Sequence, residues 1–501
     1  MRFISTRGGT EPLPFSETVL AGLAPDGGLF LPERVPDLSA KYLEWRGYTF
    51  QQLAQAIFEP FVAESLAPPE LSRLIAESYR RFDHPQVTPL VRVGRFHVLE
   101  LFHGPTFAFK DVALQFLGNL FEHLLEARQA RLTVLGATSG DTGSAAIHAL
   151  RGKRRVEVFI LYPNGRVSPI QARQMNTVPD ANVHCVAVEG SFDDAQSIVK
   201  ALFNDRAFND RVHLGAVNSI NWARLMAQIT YFFFAYYRLL ERPAADLPGG
   251  RALRPGDPVR FAVPTGNFGH IFAGWLAKRM GLPIERLVLA TNANDILERF
   301  VRTGEYRRGG LKQTMSPSMD IQVASNFERY LFELAGRDGA RLGAWMREFE
   351  STGALRIEPE RRRRVAEDFL AHAVSEEETL ETIRGVHRET GYLLDPHRAV
   401  GYRAAEALSG GDRLPTVCMA TAHPAKFGEA IGRAIGREPP LPESLAGLAR
   451  LPERVAILPA ETERVRAFML ETLARAPAQA AAPGARSAAA HSPVVRSPEK
   501  V

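Results

Sequence analysis

The sequence predicts an α/β protein built in two lobes, and three observations carry that reading. From Thr88 to about Arg437, short apolar runs alternate with helical patterns, as parallel strands covered on both faces require. Two strand–glycine loop–helix junctions stand in different halves of that region, after Gly136 and after Pro264. At 501 residues the chain exceeds what a single hydrophobic core organises.

Taken in order, residues 1–85 read as mainly helical after a short strand and the turn Asp26-Gly27-Gly28, with helical patterns over 39–61 and 69–81. The core follows over 86–440, with a smaller lobe at roughly 120–215. Its strands are expected at 96–101, 131–136, 156–162, 183–188, 259–263, 287–291 and 416–421, and helices follow most of them. The Pro/Gly-rich stretch 243–258 reads as a loop between the halves. Arg361 to Arg364 lie on a helix expected to run through Phe369. Residues 441–475 read as a C-terminal helical segment. The Ala/Pro/Ser-rich tail 476–501 is expected to be disordered.

Bulk properties narrow the function. The net charge of +5 is partly contributed by the tail (Arg486, Arg496, Lys500), and no aromatic-interleaved basic strip marks a nucleic-acid partner. The N-terminus lacks a secretory apolar region, and the apolar stretch 229–240 is too short for a membrane span and holds Arg238. Cys185 and Cys418 sit in apolar strand-like runs, with neither a disulfide framework nor zinc spacing, so no metal is expected. The expected compartment is reducing and cytoplasmic.

The chemistry concentrates on Lys110 in His103-Gly104-Pro105-Thr106-Phe107-Ala108-Phe109-Lys110-Asp111. Flanking phenylalanines desolvate the ammonium, and the helix that Asp111 opens adds its positive end. An amine depressed in this way forms Schiff bases with carbonyls or with pyridoxal phosphate. The competing reading is a surface lysine snorkelling beside a core stripe.

Three junctions supply a setting for it. In Leu135-Gly136-Ala137-Thr138-Ser139-Gly140-Asp141-Thr142-Gly143 a strand ends at a loop that opens an Ala-rich helix, a site for a carboxylate or phosphate, or else a tight turn. Val263-Pro264-Thr265-Gly266-Asn267-Phe268-Gly269-His270 repeats the pattern, with Gly281 as a C-terminal cap. In Ala420-Thr421-Ala422-His423-Pro424-Ala425-Lys426-Phe427, Thr421 carries a hydroxyl at a strand end, which faces the cleft or caps the helix. In Asn218-Ser219-Ile220-Asn221-Trp222-Ala223-Arg224, Ser219, Asn221 and Arg224 form a phosphate clamp or a polar cap. His397 and His423 flank proline turns and read as structural, with no acid nearby at ligand spacing.

These motifs, with Asp26-Gly27-Gly28-Leu29-Phe30 and Leu394-Asp395-Pro396-His397, together resemble threonine synthase in its longer bacterial and fungal form. The resemblance runs in order from the first residues to about 470. It implies a two-lobed enzyme of the tryptophan synthase β-like fold (fold type II), with a mainly helical N-terminal domain. It further implies pyridoxal 5'-phosphate on Lys110, the cofactor phosphate at Gly266, Asn267, Phe268, Gly269 and His270, and Thr421 facing the pyridine nitrogen. The substrate O-phospho-L-homoserine is implied at Ser139, Gly140, Asp141 and Thr142, with Ser219 and Arg224 on its phosphate, in a monomer.

Three positions depart from the pattern: Thr265 for serine, His270 for aspartate and Arg398 for a small polar residue. Two other functions stay open at this stage. A lyase of the same fold would expel phosphate and release 2-oxobutyrate, and a two-lobed phosphate-ligand binding protein would need no activated lysine.

Overall fold

The computed structural model describes residues 1–215, 217–411 and 413–475; the tail read as disordered lies outside the described residues. Two sheets form the two lobes. The larger has six strands in the order Phe369–Ala373, Ile284–Thr291, Val259–Pro264, Thr416–Ala420, Phe96–Glu100 and Leu90–Val93. All neighbours are parallel except the last pair, a hairpin. The smaller sheet is wholly parallel: Ala456–Pro459, Val183–Glu189, Val156–Pro163, Leu132–Ala137 and Leu214–Gly215.

The seven expected strands are all present within a few residues. They were legible because their central members are buried on both faces and read as unbroken apolar runs. Every residue of Val259–Pro264 and Thr416–Ala420 is buried. Cys185 and Cys418 are buried, unpaired thiols in these strands. The helix Trp222–Leu240 is buried nearly all round between the Phe50–Val62, Lys110–Ala127 and Gly269–Arg279 helices. It covers the apolar stretch 229–240, and among the described residues no helix is long and apolar enough to cross a membrane.

Several readings are corrected. The helix read over 39–61 begins only at Phe50, where Thr49 and Gln52 form a capping box; Tyr42–Trp45 is a separate 3-10 turn before Gly47, whose φ is +89°. The N-terminal region also holds a three-stranded antiparallel sheet of Leu13–Pro14, Arg2–Ser5 and Phe30–Pro32. The helix carrying Arg361 to Arg364 stops at Asp368, because Phe369 opens a strand paired in parallel with Leu287 to Thr291. The segment 441–475 is not simply helical either. Its strand Ala456–Pro459 extends the smaller sheet beside Val183–Glu189 before the helix Thr462–Arg475.

Candidate active site

Lys110 is the first residue of the Lys110–Ala127 helix, one position earlier than the sequence suggested. The segment before it is laced to the exit of the Thr416–Ala420 strand: Phe109 N–H donates to the Thr421 carbonyl at 2.8 Å and His423 N–H to the Phe107 carbonyl at 3.1 Å. Phe107 sits in the left-handed region at φ +58°. The lysine is therefore held by two strand ends of the larger sheet, those of Phe96–Glu100 and Thr416–Ala420, which are hydrogen-bonded neighbours. Thr421 is buried at this seam.

The Lys110 ammonium is buried, and its Nζ lies 5.4 Å from the Phe109 ring centroid. It donates to Asp141 Oδ2 and to Ser318 Oγ, both at 3.4 Å. Burial lowers its pKa, and the charges of Lys426 and Arg224 lower it further against the pull of Asp141.

Asp141 opens the helix Asp141–Leu150 on the smaller lobe. Its Oδ1 lies 2.6 Å from Lys426 Nζ and accepts from Gln171 Nε2 at 2.9 Å, while Oδ2 accepts from Ser318 Oγ at 3.3 Å. Burial opposes its charge, but Lys426 and Lys110 hold this carboxylate well below its usual range. The loop read as an anion receptor thus brings its own anion. Thr138 Oγ1 already accepts from the Gly140 and Gly143 N–H groups, at 3.0 and 2.9 Å. Gly140 is required by its φ of +135° and by the Gln171 side chain, which a Cβ would meet at 2.5 Å. Ser139 remains exposed and Thr142 half-buried.

The second junction is built differently. Phe268 turns at φ +64°, its N–H bonding the Gly266 carbonyl, and the helix starts at Gly269. The first-turn N–H groups of that helix have no intrahelical partner, so they form a receptor for an anion. Gly266 packs so tightly that a Cβ would lie 2.6 Å from the Ser318 carbonyl oxygen. The His270 side chain stacks on Phe109 (4.9 Å, 20°), with Tyr231 edge-on at 5.4 Å. Both ring nitrogens are buried without a partner, and burial pushes its pKa down to about 3.

Of the clamp segment, Asn221 is a helix cap: its Oδ1 accepts from Ala223 N–H and its amide donates to the Val19 carbonyl. Ser219 is bonded to Ser325 Oγ at 2.9 Å and to the Asn326 amide at 3.3 Å. Arg224 is the outlier. It is 3% exposed, its Nε and one Nη have no hydrogen-bond partner, and burial lowers its pKa to about 10. A desolvated guanidinium without a counter-ion is costly unless a ligand supplies one.

Five further residues support the site: Lys426, Arg329 and Asn326, which sequence reasoning passed over, and His397 and Arg398, which it named without this role. Lys426 is the second lysine on Asp141 and also donates to the Thr106 carbonyl at 2.9 Å. Its signal was available: a lysine next to Phe427 just past a strand exit repeats the setting of Lys110. His397 is not without an acid, since its Nδ1 bonds Asp395 Oδ2 at 2.9 Å and its Nε2 accepts from Ser318 N–H at 3.2 Å. The Asp-Pro-His spacing, with Asp395 capping the helix that His397 enters, is that signal. Arg398, the third departure, donates to the Ala422 carbonyl at 3.0 Å and lies over the Phe102 ring at 4.8 Å, so it braces the Thr421 seam. Arg329 and Asn326 have no local signature. Arg329 is fully buried and ties the Phe30 and Ile220 carbonyls to Asn326, which donates to the Asn267 carbonyl at 3.0 Å. The N-terminal domain, the clamp and the glycine loop are thereby joined.

Comparison with known proteins identifies the family. Family models described as "Threonine synthase N terminus", "Pyridoxal-phosphate dependent enzyme" and "Threonine synthase, C-terminal" match residues 2–79, 82–420 and 398–469. The threonine synthase of Pseudomonas aeruginosa is 48% identical over 475 residues, covering 94% of this chain and 98% of the relative. That of Schizosaccharomyces pombe is 47% identical over 469 residues, covering 86% and 89%. Among solved structures, the pyridoxal-phosphate-bound threonine synthase of Brucella melitensis superposes with a TM-score of 0.89 at 45% identity, covering 94% of this chain and 99% of that one. The yeast threonine synthase gives 0.88 at 43% identity, covering 95% and 99%.

Proposed function

The chain belongs to the threonine synthase family, and from that premise we propose that it converts O-phospho-L-homoserine and water to L-threonine and phosphate. It is a pyridoxal-phosphate-dependent lyase of fold type II. The residues present fit such a cofactor. Lys110 offers a buried amine, the Gly269–Arg279 helix start offers N–H donors over a cradle that a Cβ at Gly266 would close, and Arg224 is a buried cation without an anion.

When bound, pyridoxal phosphate supplies a conjugated ring that spreads the charge left when a proton leaves the carbon next to the substrate amine. The chain's own groups do the rest. Lys110 would hold the cofactor covalently and, once freed by the substrate amine, would serve as base and acid: protons leave Cα and Cβ, phosphate leaves Cγ, one proton returns to Cγ, water adds to Cβ with loss of its own proton, and a last proton returns to Cα; the lowered pKa of Lys110 suits both directions. Gly266, Asn267, Phe268, Gly269 and the His270 backbone would hold the cofactor phosphate. Thr421 would face the ring nitrogen with a neutral hydroxyl. His270's side chain backs Phe109, so its part in the phosphate site is through its main chain.

Ser139, Gly140 and Thr142 receive the substrate carboxylate beside Lys110, and Ser219 and Arg224 receive its phosphate. Asp141 belongs to this group as the counter-ion of the two lysines, a role that the family pattern alone did not specify. The domain limits proposed are 1–85, 86–440 and 441–475, the last completing the smaller lobe. We place the enzyme in the cytoplasm as a monomer that acts on a small-molecule substrate.

The uncompensated Arg224 guanidinium carries this reading most directly, because it demands an anionic ligand in the cleft that holds Lys110. The test is incubation with O-phosphohomoserine and pyridoxal phosphate, measuring phosphate and threonine together. Equal yields support the assignment. Phosphate with 2-oxobutyrate and ammonia makes the protein an eliminating lyase instead.

A further inference from the structure

Two buried lysines share one carboxylate in this cleft, and the sharing is unequal. Asp141 lies 2.6 Å from Lys426 Nζ and 3.4 Å from Lys110 Nζ. Lys426 is 1% exposed and is fixed from its other side by the Thr106 carbonyl at 2.9 Å. Gln171 donates to the Asp141 oxygen that Lys426 holds, which locks that oxygen in place. We propose that Lys426 is a positioning residue for Lys110: it takes the larger part of the carboxylate that the two amines share and so leaves Lys110 the one that gives up its proton.

The charged and titratable groups around the pair agree with that division. Lys110 faces Asp141 from the smaller lobe, Lys426 from the 3-10 turn Pro424–Phe427 and Arg224 from the Trp222–Leu240 helix, with Ser318 Oγ as a neutral contact. His397 acts on Asp141 from the Pro396–Leu408 helix. Around Lys426, Asp111 and His148 are also in electrostatic reach. Asp111 is pushed up to about 6 by burial, against donors from Thr106, and His148 is pushed down to about 4 by burial. Lys426 and Arg224 thus oppose the Lys110 charge, and the Asp141 carboxylate that favours it is already bridged to Lys426. Removing the Lys426 charge would give Asp141 wholly to Lys110 and raise the affinity of Lys110 for its proton.

This inference rests on Lys110 being the cofactor lysine. The experiment follows the pH midpoint of the cofactor's visible absorbance in holoenzyme, comparing wild type with Lys426→Met, Lys426→Gln and Lys426→Arg. Loss of the charge in Met or Gln is expected to move the midpoint up by about one pH unit or more, while Arg, which keeps the charge, stays near wild type. An unmoved midpoint in Met or Gln overturns the proposal, and so does an Arg shift as large as theirs, since packing alone would then explain the residue. Because a variant can fail to fold, a second measurement uses the wild-type protein freed of cofactor. The pH dependence of Lys110 acetylation, read by mass spectrometry, should have its midpoint below the ordinary lysine value of about 10.4; a midpoint at or above it overturns the proposal without any variant. Absence of a visible band in wild-type holoenzyme would instead sink the assignment of Lys110 itself.

Discussion

The loops at 136–143 and 264–270 look alike in sequence and differ in what they present to a ligand. Each follows a buried parallel strand and opens a helix. In the first, a threonine hydroxyl takes two N–H groups and an aspartate occupies the helix start, where two lysines from elsewhere in the chain neutralise it. In the second, no acidic residue lies in the first turn and, among the described residues, no side chain caps the helix start, which is left for a ligand. A strand–glycine loop–helix junction is therefore only a frame. Its polarity toward a ligand is decided by the side chains placed at the first helical turn and by the charges that reach it.

The largest effect is expected where the two loops meet. Lys110→Ala should lower turnover at least ~10³-fold, measured as phosphate and threonine release without added amines, and appreciable residual activity would break the scheme. The loops themselves separate under glycine substitution. Gly266→Ala sets a methyl against the Ser318 carbonyl at 2.6 Å. At a cost of about 1–3 kcal/mol, cofactor binding should weaken roughly tenfold to a hundredfold in an absorbance titration. Gly140→Ala, strained at φ +135° and pressed on Gln171, should instead raise the KM for the substrate and leave the cofactor affinity near wild type. If both variants act on the cofactor alone, the division between the loops is wrong.

Arg224→Met removes the buried guanidinium that has no partner on Nε or one Nη. Activity should fall while the cofactor-free protein gains stability, by about 1–4 kcal/mol if it behaves like other buried charges replaced by apolar groups. A lowered thermal midpoint would mean that Arg224 has an internal role instead. The smallest effect concerns His270, whose pKa burial lowers to about 3. The unfolded chain binds the proton more readily, so the stabilisation that this residue supplies is full above about pH 6.5 and is lost as pH falls toward 3. Its share of the slope is about 1.4 kcal/mol per pH unit. His97, His148 and His423, each lowered to about 4, steepen the same limb. His270→Phe should flatten the acid limb of denaturant unfolding by one proton's worth, and an unchanged slope would show that the imidazole is charged in the fold.

The α/β class, the seven central strands and the lysine were legible in the sequence because each is announced locally. Strands buried on both faces read as apolar runs, glycine loops mark where they end, and Phe107 and Phe109 stand just before Lys110. The edge strands Leu90–Val93, Phe369–Ala373 and Ala456–Pro459 were not legible, since short edge strands carry a weak pattern and gain their state from pairing. The functional grouping was half legible. Sequence reading grouped Lys110, Gly266, Thr421 and Arg224, but the sign of the Asp141 loop, the stacking of His270 on Phe109 and the reach of His397 to Ser318 were decided by tertiary packing. The physical reason is distance along the chain. Charge in a buried cleft depends on whatever groups the fold delivers within a few ångströms, and Asp141 and Lys426 come from opposite lobes.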